Sequence, residues 1–287
     1  SKMKSLDKYF SRIGLQSLGV QDKPPSLDRA TLAVIMAGQS RCIAFENIDV
    51  VLKKTISMSP SDVEKKLVDS LRGGYCWEQN TLLRMALEDM GYEVTPLMCR
   101  VRWGKPDDSQ EANTPYTHLA LKVRVVTDDG KQKMFLADVG FGGTNSSMEP
   151  VDLGIGSEPQ ELPEGHFRVV PSKHKDFHVL ELMVKDNEWR PLYEWRDERA
   201  PWVDQECSNW FSCTYPTARF ANQFFVALIV GDEHHHILND QYVIRMGHGV
   251  NKEVITEQIK EKSRLVNLVD KVFGIRLRGV EGIDRFL

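Results

Sequence analysis

Partway along this chain the apolar residues change their spacing, and only a mixed architecture accommodates both patterns. Up to about residue 92 the spacing is helical. Asp62 is a candidate cap ahead of 63–71, where Val63, Leu67, Val68 and Leu71 fall on one side of a 3.6-residue turn. Residues 77–90 repeat the pattern with Leu82, Leu83, Met85, Ala86, Leu87 and Met90, and Gly91 supplies the stop. From Glu93 to about Trp195 the texture is that of strands. Residues 119–126 and 131–139 flank Asp128-Asp129-Gly130, and 178–184 and 189–193 flank Asp186-Asn187. Repeated strands joined by such turns predict an antiparallel sheet or small barrel. The last third mixes strands at 224–230 and 241–246 with a helix expected over 252–273. Residues 142–165 read as a linker or a long loop beside an active site.

Composition narrows the class. With 287 residues, a chain can bury roughly 75% of its unfolded surface, enough for one large core or a few small ones. Its 37 basic and 41 acidic residues leave a formal charge of −4 and no basic block, so there is no electrostatic case for nucleic acid. The longest strictly apolar run, 224–230, falls far short of the ~20 residues a membrane helix needs. The N-terminal residues carry no apolar signal core. Five scattered cysteines, Cys42, Cys76, Cys99, Cys207 and Cys213, form no disulfide framework and no Cys-x-x-Cys pair. A soluble, cytoplasmic protein with no structural zinc is expected. His234-His235-His236 suggests a metal cluster, but consecutive residues point in different directions and no acidic partner is evident.

One cysteine stands out by its context. In Arg72-Gly73-Gly74-Tyr75-Cys76-Trp77-Glu78, two glycines permit a tight turn, with positive φ allowed, and the helical pattern begins right after the thiol. A thiol at a helix N-terminus meets the positive end of the dipole, which favours the attacking thiolate form. The alternative is an inert buried cysteine. A cysteine nucleophile needs a base, and the base an orienting group. Two flanks of one predicted hairpin supply candidates near its open end: His118 in Thr117-His118-Leu119, and Asp138 in Ala137-Asp138-Val139-Gly140-Phe141-Gly142-Gly143. Counting inward from the turn places them roughly cross-strand, and an aspartate among apolar neighbours needs a partner.

These segments resemble the arylamine N-acetyltransferase family. Ala44-Phe45-Glu46-Asn47-Ile48 is similar to its P-F-E-N-L segment, and Arg72–Glu78 to R-G-G-[YF]-C-[YF]-E. The histidine and aspartate motifs match. Residues 209–220 resemble N-W-[YF]-x-S-T-x-P-x-S-x-F. Ala44, Trp77, Cys213 and Ala218 depart from the pattern. The resemblance implies an α+β fold: a helical bundle (1–92), a central antiparallel β-barrel (93–200) and an α/β lid (201–287), with a core like that of cysteine proteases and transglutaminases. It further implies Cys76 as acetyl acceptor, His118 as base and Asp138 as orienter. Phe45, Phe141 and Phe220 would line an aromatic acceptor site, the alternative being plain core packing. Trp103 and Thr117 would sit near the reacting centre, and Gly142, Gly143 and Thr214 along the coenzyme A arm. Arg72 and Glu46 would pair to hold the cysteine loop. The implied activity is acetyl-coenzyme A-dependent acetylation of arylamines and arylhydrazines, without a metal. Propionyl or malonyl donors are open, with Arg100, Arg102 and Arg219 as candidate cations for a malonyl carboxylate. A triad amide hydrolase and an inactive binding module are the rivals. Oligomeric state is not readable.

Overall fold

The computed structural model describes residues 2–15, 26–105, 114–127, 129–154, 158–185, 187–246, 253–277 and 280–287. Asp128, Asp186, His248 and the start of the expected 252–273 helix lie outside them. Within them the chain is α+β. Helices α1 (Leu6–Arg12), α2 (Arg29–Cys42), α3 (Ile48–Val51), α4 (Pro60–Glu64) and α5 (Cys76–Met90) precede most of the strands, with the two-residue strand β1 (Phe45–Glu46) between α2 and α3. Helix α5 ends at Gly91, whose φ of 105° is the left-handed conformation that glycine adopts without strain. The 63–71 run divides: α4 continues as a π-helical turn over Lys65–Asp69. Its cap is Ser59, whose hydroxyl accepts the Asp62 N–H, rather than Asp62 itself.

Eight antiparallel strands curl into a nearly closed barrel. They are β2 (Glu93–Val101), β3 (Tyr116–Val126), β4 (Gln132–Ala137), β5 (Val151–Asp152), β6 (Gln160–Leu162), β7 (Gly165–Pro171), β8 (Phe177–Lys185) and β9 (Glu188–Arg196), in the order β5-β4-β3-β2-β9-β8-β7-β6. The described residues of the 142–165 segment supply β5 and β6. At the open seam the Gln160 amide accepts the Asp152 N–H at 2.7 Å and donates to the Asp152 carbonyl at 2.9 Å. A side chain there does what a further pair of ladder bonds would do.

The remaining chain forms α6 (Trp202–Thr214), α7 (Arg219–Asn222), β10 (Phe225–Val230), β11 (Glu233–Leu238), β12 (Gln241–Met246), β13 (Glu253–Gln258) and α8 (Lys262–Lys271). Where one helix was expected, an edge strand and a shorter helix are found. A second sheet runs β1-β10-β11-β12-β13, so two residues from the helical third become an edge strand of the C-terminal sheet. One core cluster joins Ile35, Leu82, Leu83 and Leu87 of the helices to Leu121, Val123 and Phe135 of the barrel. Each such burial contributes about 1.5–3 kcal/mol. That cluster fixes α5 against β3, and the positions of Cys76 and His118 follow from it.

Candidate active site

Cys76 is the first residue of α5, and the turn before it is shaped by crowding. A Cβ on Gly73 would sit 2.2 Å from the Ala44 carbonyl, and one on Gly74 would sit 2.8 Å from Glu78. Neither glycine has positive φ. The positive φ that glycine allows is not used here: these glycines serve close approach to β1, where Glu46 N–H donates to the Gly74 carbonyl at 3.0 Å. Glu78 reaches back to accept the Tyr75 N–H at 3.1 Å, the return half of a capping box. The resemblance-implied pair of Arg72 and Glu46 forms, with Nε 2.9 Å from Oε1. It belongs to a larger buried network. Arg72 also meets Asp49 at 3.3 Å, and Lys66 bridges Asp49 at 3.0 Å and Glu78 at 2.7 Å.

The three candidate groups come together. His118 and Asp138 lie 2.7 Å apart, Nε2 to Oδ2, and all three residues are buried. They are not directly cross-strand. The β3–β4 ladder pairs Leu121 with Ala137, so continuing it would place Ala120 opposite Asp138 and leave His118 as a diagonal neighbour. That diagonal still lets an imidazole reach a carboxylate. The other side of the ring faces Cys76, whose thiol also donates to the Thr117 carbonyl at 3.5 Å.

Electrostatics favour an imidazolium here. Burial by itself pushes the His118 pKa down, but the Asp138 charge and hydrogen bond, together with Cys76, outweigh it and raise it to about 10. Burial pushes the Asp138 carboxyl up, and the His118 charge with hydrogen bonds from His118, Asn80 and the Gly140 N–H more than offsets it, leaving it lowered.

Sequence reasoning missed the residues that hold this arrangement. Asn80, one turn beyond Cys76 on α5, donates to Asp138 Oδ1 at 2.8 Å and to the Leu119 carbonyl at 2.6 Å, and accepts the Val139 N–H at 3.0 Å. Its i, i+4 spacing from the cysteine was the available signal. Tyr193, on distant β9, packs its ring 4.8 Å from the imidazole, and nothing local in the sequence marks it. Gly140 matters by absence: a Cβ would lie 2.8 Å from both Cys76 Cα and Asn80 Nδ2.

The aromatic candidates separate into two groups. Phe45 lies 5.4 Å from Phe220 and 5.6 Å from Phe225, in the apolar cluster that contains Cys76; Phe225 was not anticipated. Phe141 instead stands edge-on to His118 at 5.4 Å and packs on Tyr193 at 5.3 Å. Gly142 and Gly143 have φ of 78° and 73° and face the Phe45 and Phe225 rings, so bare backbone lines this side of the site. With His234, His235 and His236 they border a narrow cleft of about 30 Å³. Trp103 is half-buried against the barrel core, its N–H donating to the Leu192 carbonyl at 3.1 Å. Thr214 is exposed, its hydroxyl turned onto the Trp210 carbonyl of its own helix. Arg100 lies over the Tyr116 ring, Arg102 is buried, and Arg219 lies beside Phe220. His235 is held by the Tyr242 hydroxyl at 2.6 Å and by Glu233 at 2.9 Å. Among the described residues no three metal-ligating side chains converge. No helix among them is long and apolar enough to cross a membrane.

Comparison with known proteins identifies the family. A family model described as N-acetyltransferase matches residues 28–281. The arylamine N-acetyltransferase of Mycolicibacterium smegmatis is 35% identical over 97% of this chain and 94% of its own. A Salmonella typhimurium protein named arylamine N-acetyltransferase / N-hydroxyarylamine O-acetyltransferase is 27% identical over 96% of this chain and 90% of its own. The solved structure of the Mycobacterium marinum arylamine N-acetyltransferase in complex with CoA superposes with a TM-score of 0.85, at 29% identity, over 98% of this chain and 97% of that one. By sequence over nearly its whole length, and by fold, the chain belongs to the arylamine N-acetyltransferase family of acyltransferases.

Proposed function

We propose that this protein transfers an acetyl group from acetyl-coenzyme A to arylamines and arylhydrazines in two half-reactions that share one sulfur. The observation that carries the reading is a buried imidazole held between a thiol and a carboxylate, with three phenyl rings in the thiol's own cluster. In the first step the Cys76 thiolate attacks the thioester carbonyl while His118 is imidazolium. The N–H groups at the start of α5, Cys76's included, stabilise the oxyanion. The carbon–sulfur bond to coenzyme A breaks, His118 protonates the departing thiolate, and acetyl-Cys76 remains. In the second step an amine nitrogen attacks that acyl group, His118 takes the nitrogen's proton, and the cysteine sulfur leaves. Asp138 orients the ring in both. Aromatic amines suit this site because their nitrogen is unprotonated at neutral pH, and their ring can pack against Phe45 and Phe220. Phe141 braces His118. Trp103 and Thr117 border the reacting centre, and Gly142, Gly143 and Thr214 flank the pantetheine arm.

In this reading residues 1–92 bring the nucleophile, 93–200 the base and its carboxylate, and 201–287 the ring of Phe220. Incubating the protein with acetyl-coenzyme A alone and measuring intact mass should add one acetyl group, mapped to Cys76, and Cys76→Ser should abolish it. Unmodified wild-type protein would sink the proposal and revive the hydrolase reading. A matrix of acetyl, propionyl and malonyl donors fixes the acyl preference, and double-displacement kinetics are expected with each productive pair.

A further inference from the structure

Asn47 is 99% removed from solvent, and every polar group of its side chain is used. Its Nδ2 donates to two carbonyls at the end of α7, Phe220 at 2.8 Å and Gln223 at 2.6 Å. Its Oδ1 accepts the Phe225 N–H at 2.8 Å, and its backbone N–H donates to the Phe225 carbonyl at 3.3 Å. A primary amide offers two donors and one acceptor on a rigid plane, and here the donors meet carbonyls of α7 and its C-cap while the acceptor meets the N–H of the first residue of β10. The consequence is spatial. Asn47 sits two residues after Phe45, and the groups it binds carry Phe220 and Phe225. The three rings of the aromatic cluster come from segments more than 170 positions apart, and one amide ties them together. Their centroids stand 5.4, 5.6 and 6.1 Å from one another.

From this geometry we infer that Asn47 is a positioning residue for the acceptor half-reaction, setting the aromatic wall that receives an aryl ring while leaving the sulfur chemistry untouched. Its four hydrogen bonds go to the ring-bearing segments, none of them to the Cys76 turn, which Glu46, Glu78 and Lys66 hold, or to His118, which Asp138 holds. The inference rests on the proposed acetyl transfer, and the test separates the two.

Wild type, Asn47→Ala and Asn47→Ser are compared in three assays: acetylation of Cys76 by acetyl-coenzyme A alone, and turnover with phenylhydrazine and with hydrazine, which lacks the ring. Expected for Asn47→Ala is a loss of about tenfold or more in kcat/KM for phenylhydrazine, because a wall displaced by about an ångström misorients the nucleophilic nitrogen. Hydrazine turnover and the donor step should stay within about twofold of wild type. Asn47→Ser keeps a hydroxyl donor for one of the two carbonyls and should recover part of the loss. Equal losses with both acceptors, or a slowed donor step, would overturn the assignment, since a general structural defect has no reason to spare the ringless acceptor. Failure of both variants to fold would overturn it as well, making Asn47 a determinant of folding. Wild-type protein that never forms acetyl-Cys76 would instead defeat the underlying reaction.

Discussion

Around the Cys76 sulfur every group is held by a neighbour from another part of the chain, and single substitutions there should separate the proposed chemistry from stability. Asp138→Asn removes the charge that opposes burial most strongly at His118. The raised pKa of that imidazole has a definite sign. Protonated His118 stabilises the fold, fully so below its ordinary value of 6.5, and that contribution is lost as pH climbs towards about 10. Wild-type stability should therefore decline across this window by at most about 1.4 kcal/mol per pH unit. The Asp138→Asn protein, in which only Cys76 still opposes the effect of burial, should show much less of that decline. Urea midpoints for both proteins between pH 6 and 10 read the difference, and parallel curves would count against the pair. The same variant should acetylate Cys76 at least about 100-fold more slowly, as expected when an imidazole loses its orienting carboxylate. Gly140→Ala acts sterically. Its new methyl group would press on Cys76 Cα and Asn80 at once, costing about 1–3 kcal/mol, and should slow acetylation by separating thiol from imidazole. A burst of acetyl transfer equal to wild type would show that the loop yields without consequence.

Among the elements, the N-terminus of α5 depends on a charge network rather than on helix propensity. Glu46, Asp49 and Glu78 face Lys54, Lys66 and Arg72, so the carboxylates are matched by an equal set of cations. Burial raises the Glu78 pKa despite the Lys66 charge. Asp49 is less deeply buried and ends lowered, because Lys66 and Arg72 both lie against it. Arg72→Met would strand Glu46 with no counter-charge in contact and should destabilise the protein by about 3–5 kcal/mol. Because the network is buried, that loss should change little between low and high salt, and thermal melts at two ionic strengths measure it. Helix α5 and the β3–β4 hairpin were legible in the sequence because their periodicity, stop and turn signals are local. Strand β13 was not: Val254 and Ile255 extend an apolar stripe on paper, yet both are about half exposed. What holds β13 is main-chain pairing to β12, Ile255 opposite Ile244, and backbone bonds leave no mark in side-chain identity.

For the whole molecule, the helices and the barrel share one core. Leu82, Leu83 and Leu87 pack in the same cluster as Leu121, Val123 and Phe135, and β1 leaves the helical third to pair with β10. A fragment of residues 1–92 should therefore expose a large apolar face and show no cooperative unfolding transition by circular dichroism, whereas the full chain melts cooperatively. A fragment that melted like a folded domain would contradict the shared core. Residues 201–287 are bound in similarly. The α6 side chain of Ser212 accepts the Trp77 indole N–H at 3.2 Å, and the Tyr75 hydroxyl donates to Asn209. The bulky Trp77 is thus accommodated by a partner on another helix.

Thiol, imidazole and carboxylate could be named from the linear chain because each sits in a distinctive local context: a glycine pair before a helix, and the two flanks of one hairpin. Residue type and short-range spacing carry that much, as they carried the order of helical and strand-rich regions. The supporting groups had no such context. Asn80, Tyr193, Phe225 and the amide of Asn47 acquire their roles from partners as far as 178 positions away. The reason is physical. A buried amide or ring matters by what it touches, and those contacts exist only once the barrel, the helices and the second sheet have packed together.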